Sequence, residues 1–229
     1  MPRRVPAAFF AVTLLTAGYT SAQQSTGPRC RPIAERKADV GCWIVVDDPI
    51  GPVPEQPYWH IDRYPTRAAA EAAKEPAATV VESLQQVWLF TIADANWRSR
   101  SGDHVADIGP LPVRKGIQYS AMYMEAIFEP GMEAATHTHS GPEAWYTLAG
   151  ETCLETPEGV QVGRAGGPPV IVPQGPPMHL TATGTSQRRS LVLILHDQSQ
   201  PATTMTVLTG GRPATTGSVI TSTRRAPSS

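Results

Sequence analysis

The chain has 229 residues, 41% hydrophobic and only 17% charged, with a formal net charge of −1 at pH 7. A balance this even offers no electrostatic footprint for nucleic acid and excludes that class of partner. Three Cys are too few for a disulfide-built scaffold, while 23 Pro and 19 Gly argue against a helical bundle and for strands joined by many turns.

Residues 1–22 read as a secretory signal peptide. Arg3 and Arg4 supply the charged start, Ala7 to Tyr19 the apolar run, and Thr20-Ser21-Ala22 the small residues before a cut at Gln23. The run is shorter than the ~20 residues of a membrane span, so the expectation is a secreted or periplasmic protein with no span left after cleavage. An oxidising compartment would let Cys30 and Cys42 bridge, although two free thiols remain the alternative. Cys153 reads as a small buried hydrophobe.

Residues 23–116 form an N-terminal extension. Its expected strands are Cys42 to Val46, Tyr58 to Tyr64, and a hairpin of Thr79 to Glu82 with Val87 to Ile92. One short helix is expected over residues 66–75, capped by Thr66, filled by alanines and stopped by Pro76. Asp94 to Lys115 reads as irregular. The extension either packs its strands on a following barrel or forms a degenerate second one.

From Ile117 the strand signal strengthens. Ile117 to Phe128, Ala144 to Leu148, Thr152 to Glu155, Val160 to Val162, Pro169 to Val172, His179 to Thr183 and Ser190 to Leu195 follow one another at short, Gly- and Pro-marked intervals. That spacing indicates an all-β sandwich or barrel over residues 117–197. Residues 198–229, rich in Thr, Ser, Pro and Gly, read as a largely disordered tail with room for an edge strand at Met205 to Leu208 or Ser218 to Thr221.

The chemistry concentrates in Gly131 to Gly150. His137 and His139 alternate with Thr138, so on a strand both imidazoles face the same way. Glu143 follows a Ser-Gly-Pro bend that can return its carboxylate to the same point, and His179 arrives after a Gly/Pro-rich turn. Three imidazole nitrogens and a carboxylate suit one divalent first-row metal ion, with Fe, Mn, Ni and Zn not distinguished. Four protein ligands would leave an octahedral ion two open positions. Trp145 shares the alternation of Glu143 and could wall a cavity or fill the core. Tyr123 and Glu125 share a strand face. His60, His104 and His196 read as surface or structural residues.

These residues resemble the cupins. Gly131, His137, His139, Glu143 and Gly150 meet every specified position of the first cupin motif, G-x5-H-x-H-x3-E-x6-G. Gly167, Pro173 and Gly175 meet the second, but His179 comes one residue late and Thr183 stands where Asn is usual. The resemblance covers Ile117 to His196. It implies an antiparallel β-barrel or jelly roll with His137, His139, Glu143 and His179 as metal ligands and a small-molecule ligand or substrate as partner, with a homodimer left open. The leading function is a metal-dependent, dioxygenase-type oxidoreductase in which Glu143 ligates or takes a proton. A non-enzymatic small-ligand or sugar-binding module, and metal-assisted isomerase or lyase chemistry, are the alternatives.

Overall fold

A computed structural model describes residues 29–208 of the chain. The expected signal peptide, and the tail beyond residue 208, lie outside the described residues. The extension contributes β1 (Arg31–Pro32), β2 (Gly41–Pro49), β3 (Tyr58–Tyr64), α1 (Arg67–Ala73), β4 (Ala78–Ser83), β5 (Gln86–Ala93) and β6 (Asp103–Ile108). Next come β7 (Tyr119–Phe128), β8 (Glu133–His139), β9 (Glu143–Ala149), β10 (Glu151–Thr156), β11 (Gly159–Arg164), β12 (Val170–Val172), β13 (Met178–Thr183), β14 (Arg188–Asp197) and β15 (Thr203–Met205).

The fold is all-β with one short helix. The strands build three sheets, ordered β1-β2-β7-β14-β9-β12, β11-β10-β13-β8-β15 and β4-β5-β3-β6. Every pairing is antiparallel except β1 with β2. The first two sheets face each other as the expected barrel. The third, from the extension, is a single open four-stranded sheet rather than a second barrel, and it packs on the outside of the first.

Strand β7 explains this stacking. All ten of its residues are buried, so both of its faces are covered. Met122, Met124, Ala126 and Phe128 point inward and join Leu154, Leu180 and Ala182 of the second sheet. Tyr119, Ala121, Tyr123 and Ile127 point the other way and meet Trp59, Ile61, Trp88 and Phe90 of the extension. The period-2 pleat assigns each residue to one interior or the other. Glu125 follows the outward set, so neither it nor Tyr123 reaches the barrel cavity. Ser83 Oγ donates to Glu125 Oε2 at 2.8 Å and the Leu84 amide at 2.9 Å, and Arg36 pairs with the other oxygen. On the far side of the extension sheet, α1 buries Ala70 against Tyr64, Val80 and Leu89. Its N-terminus is capped as expected, the Ala69 amide donating to Thr66 Oγ1 at 3.2 Å.

Cys30 and Cys42 are joined by a disulfide that ties the start of the described chain to β2, and Cys153 is free. Three expectations need correction. Asp103–Ile108 is a strand, not an irregular segment; it lies at a sheet edge and pairs with β3 alone. The tail is not structureless from its start, because Thr203–Met205 pairs with β8. The helix ends at Ala73, two residues earlier than expected.

Candidate metal centre

His137 and His139 stand two residues apart on β8, and their rings meet edge to face with centroids 4.7 Å apart. Each ring is fixed through Nδ1. His137 Nδ1 donates to the Ala135 carbonyl at 2.6 Å, and His139 Nδ1 donates to the Ala202 carbonyl at 2.9 Å with the Thr203 hydroxyl 3.1 Å away. A carbonyl only accepts, so both Nδ1 atoms carry the hydrogen and both Nε2 lone pairs are left for a metal.

The bend after β8 delivers the carboxylate. Gly141 packs so closely on β14 that an added Cβ would lie 1.6 Å from the Leu195 carbonyl oxygen, so no other residue fits there. The tight passage returns Glu143 to the histidines, with its Oε2 3.3 Å from His139 Nε2. One ligand atom from each of His137, His139 and Glu143 lies within 4.8 Å of the others. Both Glu143 and His139 are 5% exposed, and neither Glu143 Oε2 nor His139 Nε2 completes a hydrogen bond. Burying such atoms unsatisfied is costly, and a cation between them would remove that cost. The donor set fits a divalent ion.

Electrostatics agree. Burial lowers the pKa of His137, reinforced by the neighbouring His139. Burial also acts against protonated His139, but the Glu143 carboxylate outweighs it and raises the pKa. At Glu143 burial pushes upward, yet His139 and His137 hold the carboxyl below its ordinary value. The carboxylate therefore stays ionised and can balance part of a cation's charge.

His179 does not join this cluster. On β13 the inward residues are Met178, Leu180 and Ala182, and His179 lies on the opposite face. Its Nδ1 is 3.3 Å from Thr136 Oγ1 and its Nε2 is 3.6 Å from Glu133 Oε2. The expected four-ligand set is thus reduced to three in this structure. The reason is parity: strand character begins at Met178, so the late residue is not absorbed in the turn and the imidazole points outward. The register between β13 and β8 also shifts between Met178 and Leu180.

The three residues open onto a cavity of about 310 Å³ between the two barrel sheets. Its walls are mostly apolar, with Met122, Met124, Phe128, Val192 and Ile194 from one sheet and Leu180 from the other. The disulfide lies at this cavity too. Trp145 lies on the inner face of β9, as its alternation with Glu143 implies. His60 and His196 are structural: His60 Nδ1 is 2.5 Å from Asp107, and His196 Nε2 is 2.8 Å from Asp47. His104 is paired with Asp62 at 3.2 Å.

Two features of the site escaped the sequence reading. Ala202 and Thr203 fix His139 from the segment taken as tail. Arg188 is 2% exposed and lines the same cavity. The only sequence signal for it was its even-numbered parity with Ser190, Val192 and Ile194, which face inward with it.

No family model matches the chain, and no curated protein matches it. Solved structures do show distant likeness. A DMSP lyase from Ruegeria pomeroyi is 24% identical over 38% of this chain and 43% of its own, with a TM-score of 0.33. A salicylate 1,2-dioxygenase from Pseudoaminobacter salicylatoxidans is 18% identical over 32% of this chain and 19% of its own, with a TM-score of 0.29. A cupin superfamily protein from Desulfitobacterium hafniense is 14% identical over 38% of this chain and 74% of its own, with a TM-score of 0.31. The chain spans less than half the length of the lyase and the dioxygenase. At this distance the chemistry of the site rests on its own residues.

Proposed function

We propose that this chain binds one divalent metal ion through His137, His139 and Glu143 and acts as a metal-dependent, dioxygenase-type oxidoreductase on a small organic molecule. The observation that carries the reading is the convergence of three ligand atoms within 4.8 Å on the wall of a mostly apolar cavity. Two histidines and one carboxylate with open positions are the donor set of non-haem iron oxygenases. When bound, such an ion supplies Lewis acidity and open coordination positions beside the cavity.

The chain's own residues do the rest. Ala135, Ala202 and Thr203 orient the two imidazoles, so the donor atoms are held ready. Glu143 contributes the one negative charge of the cluster. The apolar walls exclude water and hold the body of a small ligand, while few polar groups fix its orientation. Export is part of the same proposal, supported by the charged and apolar start of the sequence and by the Cys30–Cys42 bridge.

The test is elemental analysis of the purified protein, followed by oxygen-uptake measurements on Fe(II)-loaded protein with a library of small acids and phenols. Stoichiometric metal with substrate-dependent oxygen uptake supports the reading. Oxygen-independent conversion would replace it with lyase or isomerase chemistry, and tight binding without turnover with a ligand-binding module.

A further inference from the structure

Arg188 opens β14 and points inward, in step with Val192 and Ile194. Its neighbours are set by the sheet. Because β14 lies between β7 and β9, the guanidinium carbon lies over the Phe128 ring at 5.4 Å and over the Trp145 ring at 5.3 Å. Its Nε donates to Ser190 Oγ at 3.1 Å. Among the described residues it forms no ion pair.

A buried, unpaired cation is expensive, and cation–π contacts offset that cost only in part. The two rings shield the guanidinium carbon, and Ser190 takes Nε. The Nη edge stays available for the planar, two-pronged recognition that guanidinium gives a carboxylate. Burial lowers the guanidinium pKa to about 10, opposed by Glu143, so the group is cationic at neutral pH.

We propose that Arg188 is an anion subsite that binds the carboxylate of a small organic acid, whose apolar body lies along the cavity between it and the His137–His139–Glu143 cluster. Arg188, His137, His139 and Glu143 line the same cavity, so one small molecule can reach both anchors. The cavity supports the same class of ligand: its walls are apolar, and a divalent ion, Glu143 and Arg188 together leave a net positive interior. The proposal rests on the metal reading for its second anchor only.

The experiment titrates acetate, butyrate, benzoate and phenylacetate, each against its neutral carboxamide, into zinc-loaded and metal-free protein by calorimetry. At least one acid should outbind its amide by about tenfold or more in both forms, as one charge-assisted fork provides. Arg188→Met should bring that ratio to about one with zinc content unchanged, whereas Arg188→Lys should keep part of it. No tenfold preference in the parent overturns the subsite, as does a preference that persists in Arg188→Met. A preference that vanishes with the metal places the acid on the ion and overturns it too. Absence of zinc binding, with the acid preference intact, removes the metal reading and leaves the subsite standing. If Arg188→Met does not fold, the Nε–Hε resonance of Arg188 in the parent decides. It should move with acid and not with amide, and an unmoved resonance overturns the proposal.

Discussion

Met178 is the register partner of His137 across the β8–β13 pair, and its side chain lies on the inner face of the sheet that His179 leaves. The second motif, counted at its strict spacing, falls on Met178. In this structure a thioether therefore stands where a fourth imidazole would be needed.

This relationship predicts a split among the histidines. His137→Ala and His139→Ala should each weaken metal binding by more than the 10- to 100-fold that even loss of a supporting hydrogen bond costs. His179→Ala should leave affinity within about threefold of the parent, and Met178→His should tighten it. Competition with a metal indicator measures all four. A large loss in His179→Ala would restore the four-ligand site and sink the three-ligand assignment.

The charge coupling of His139 and Glu143 predicts a pH response. The folded pKa of His139 lies above 6.5, so its contribution to stability is full below that value and is lost as pH rises through the folded pKa. Glu143 has a folded pKa below 4.5, so its contribution is present above that value and is lost as pH falls through the folded pKa. Metal must displace the proton on His139, and affinity should therefore begin to fall on acidification while pH is still above 6.5. In metal-free protein, Glu143→Gln leaves only the Ala202 hydrogen bond against burial and should lower the pKa of His139. An NMR titration of the ring protons checks this, and an unmoved His139 counts against the coupling.

The bridge predicts a labelling pattern. Denatured, unreduced protein should present Cys153 alone to a thiol reagent. Replacing both bridged cysteines by Ser should cost about 3 kcal/mol, the chain-entropy value for a loop of this order. Urea melts measure that loss. Because neither cysteine is a metal ligand, zinc stoichiometry should not change.

The outward carboxylate of β7 predicts a stability effect remote from the metal. Glu125→Ala would leave the Leu84 amide without its acceptor and Arg36 with Asp39 as its carboxylate partner, at a cost of about 2 kcal/mol. Glu125→Gln keeps the acceptor oxygen for Ser83 or Leu84 and should cost less. The same turn holds Leu84 and Gln85 at φ of 52° and 63°, which glycine or asparagine adopts more readily. Gln85→Gly should therefore stabilise, by roughly 1 kcal/mol. Thermal denaturation compares the three variants.

The readable parts of the fold and site were those with a local signal. Tyr58–Tyr64 carries three aromatics and an isoleucine among its seven residues, so its strand was visible to the residue. His137, His139 and Glu143 were visible because a strand and a tight bend both act within a few positions. Asp103–Ile108 was hidden because half of its residues are polar and its order comes from a single partner strand far away in sequence. His179 was misplaced because strand parity depends on where β13 begins, which the turn residues do not state. Arg188 was passed over because arginine is almost never buried, and the expected strand began two residues later.

The shared use of β7 makes the barrel a poor candidate for transplantation. A shorter chain beginning near Ile117 would keep His137, His139 and Glu143. It would also turn Tyr119, Tyr123, Ile127, Leu191, Leu193 and Leu195 toward water as one contiguous apolar sheet face. Such a face invites edge-to-edge and face-to-face association. Solubility, rather than any part of the His137–His139–Glu143 cluster, would then be the property that the four-stranded sheet and its helix supply.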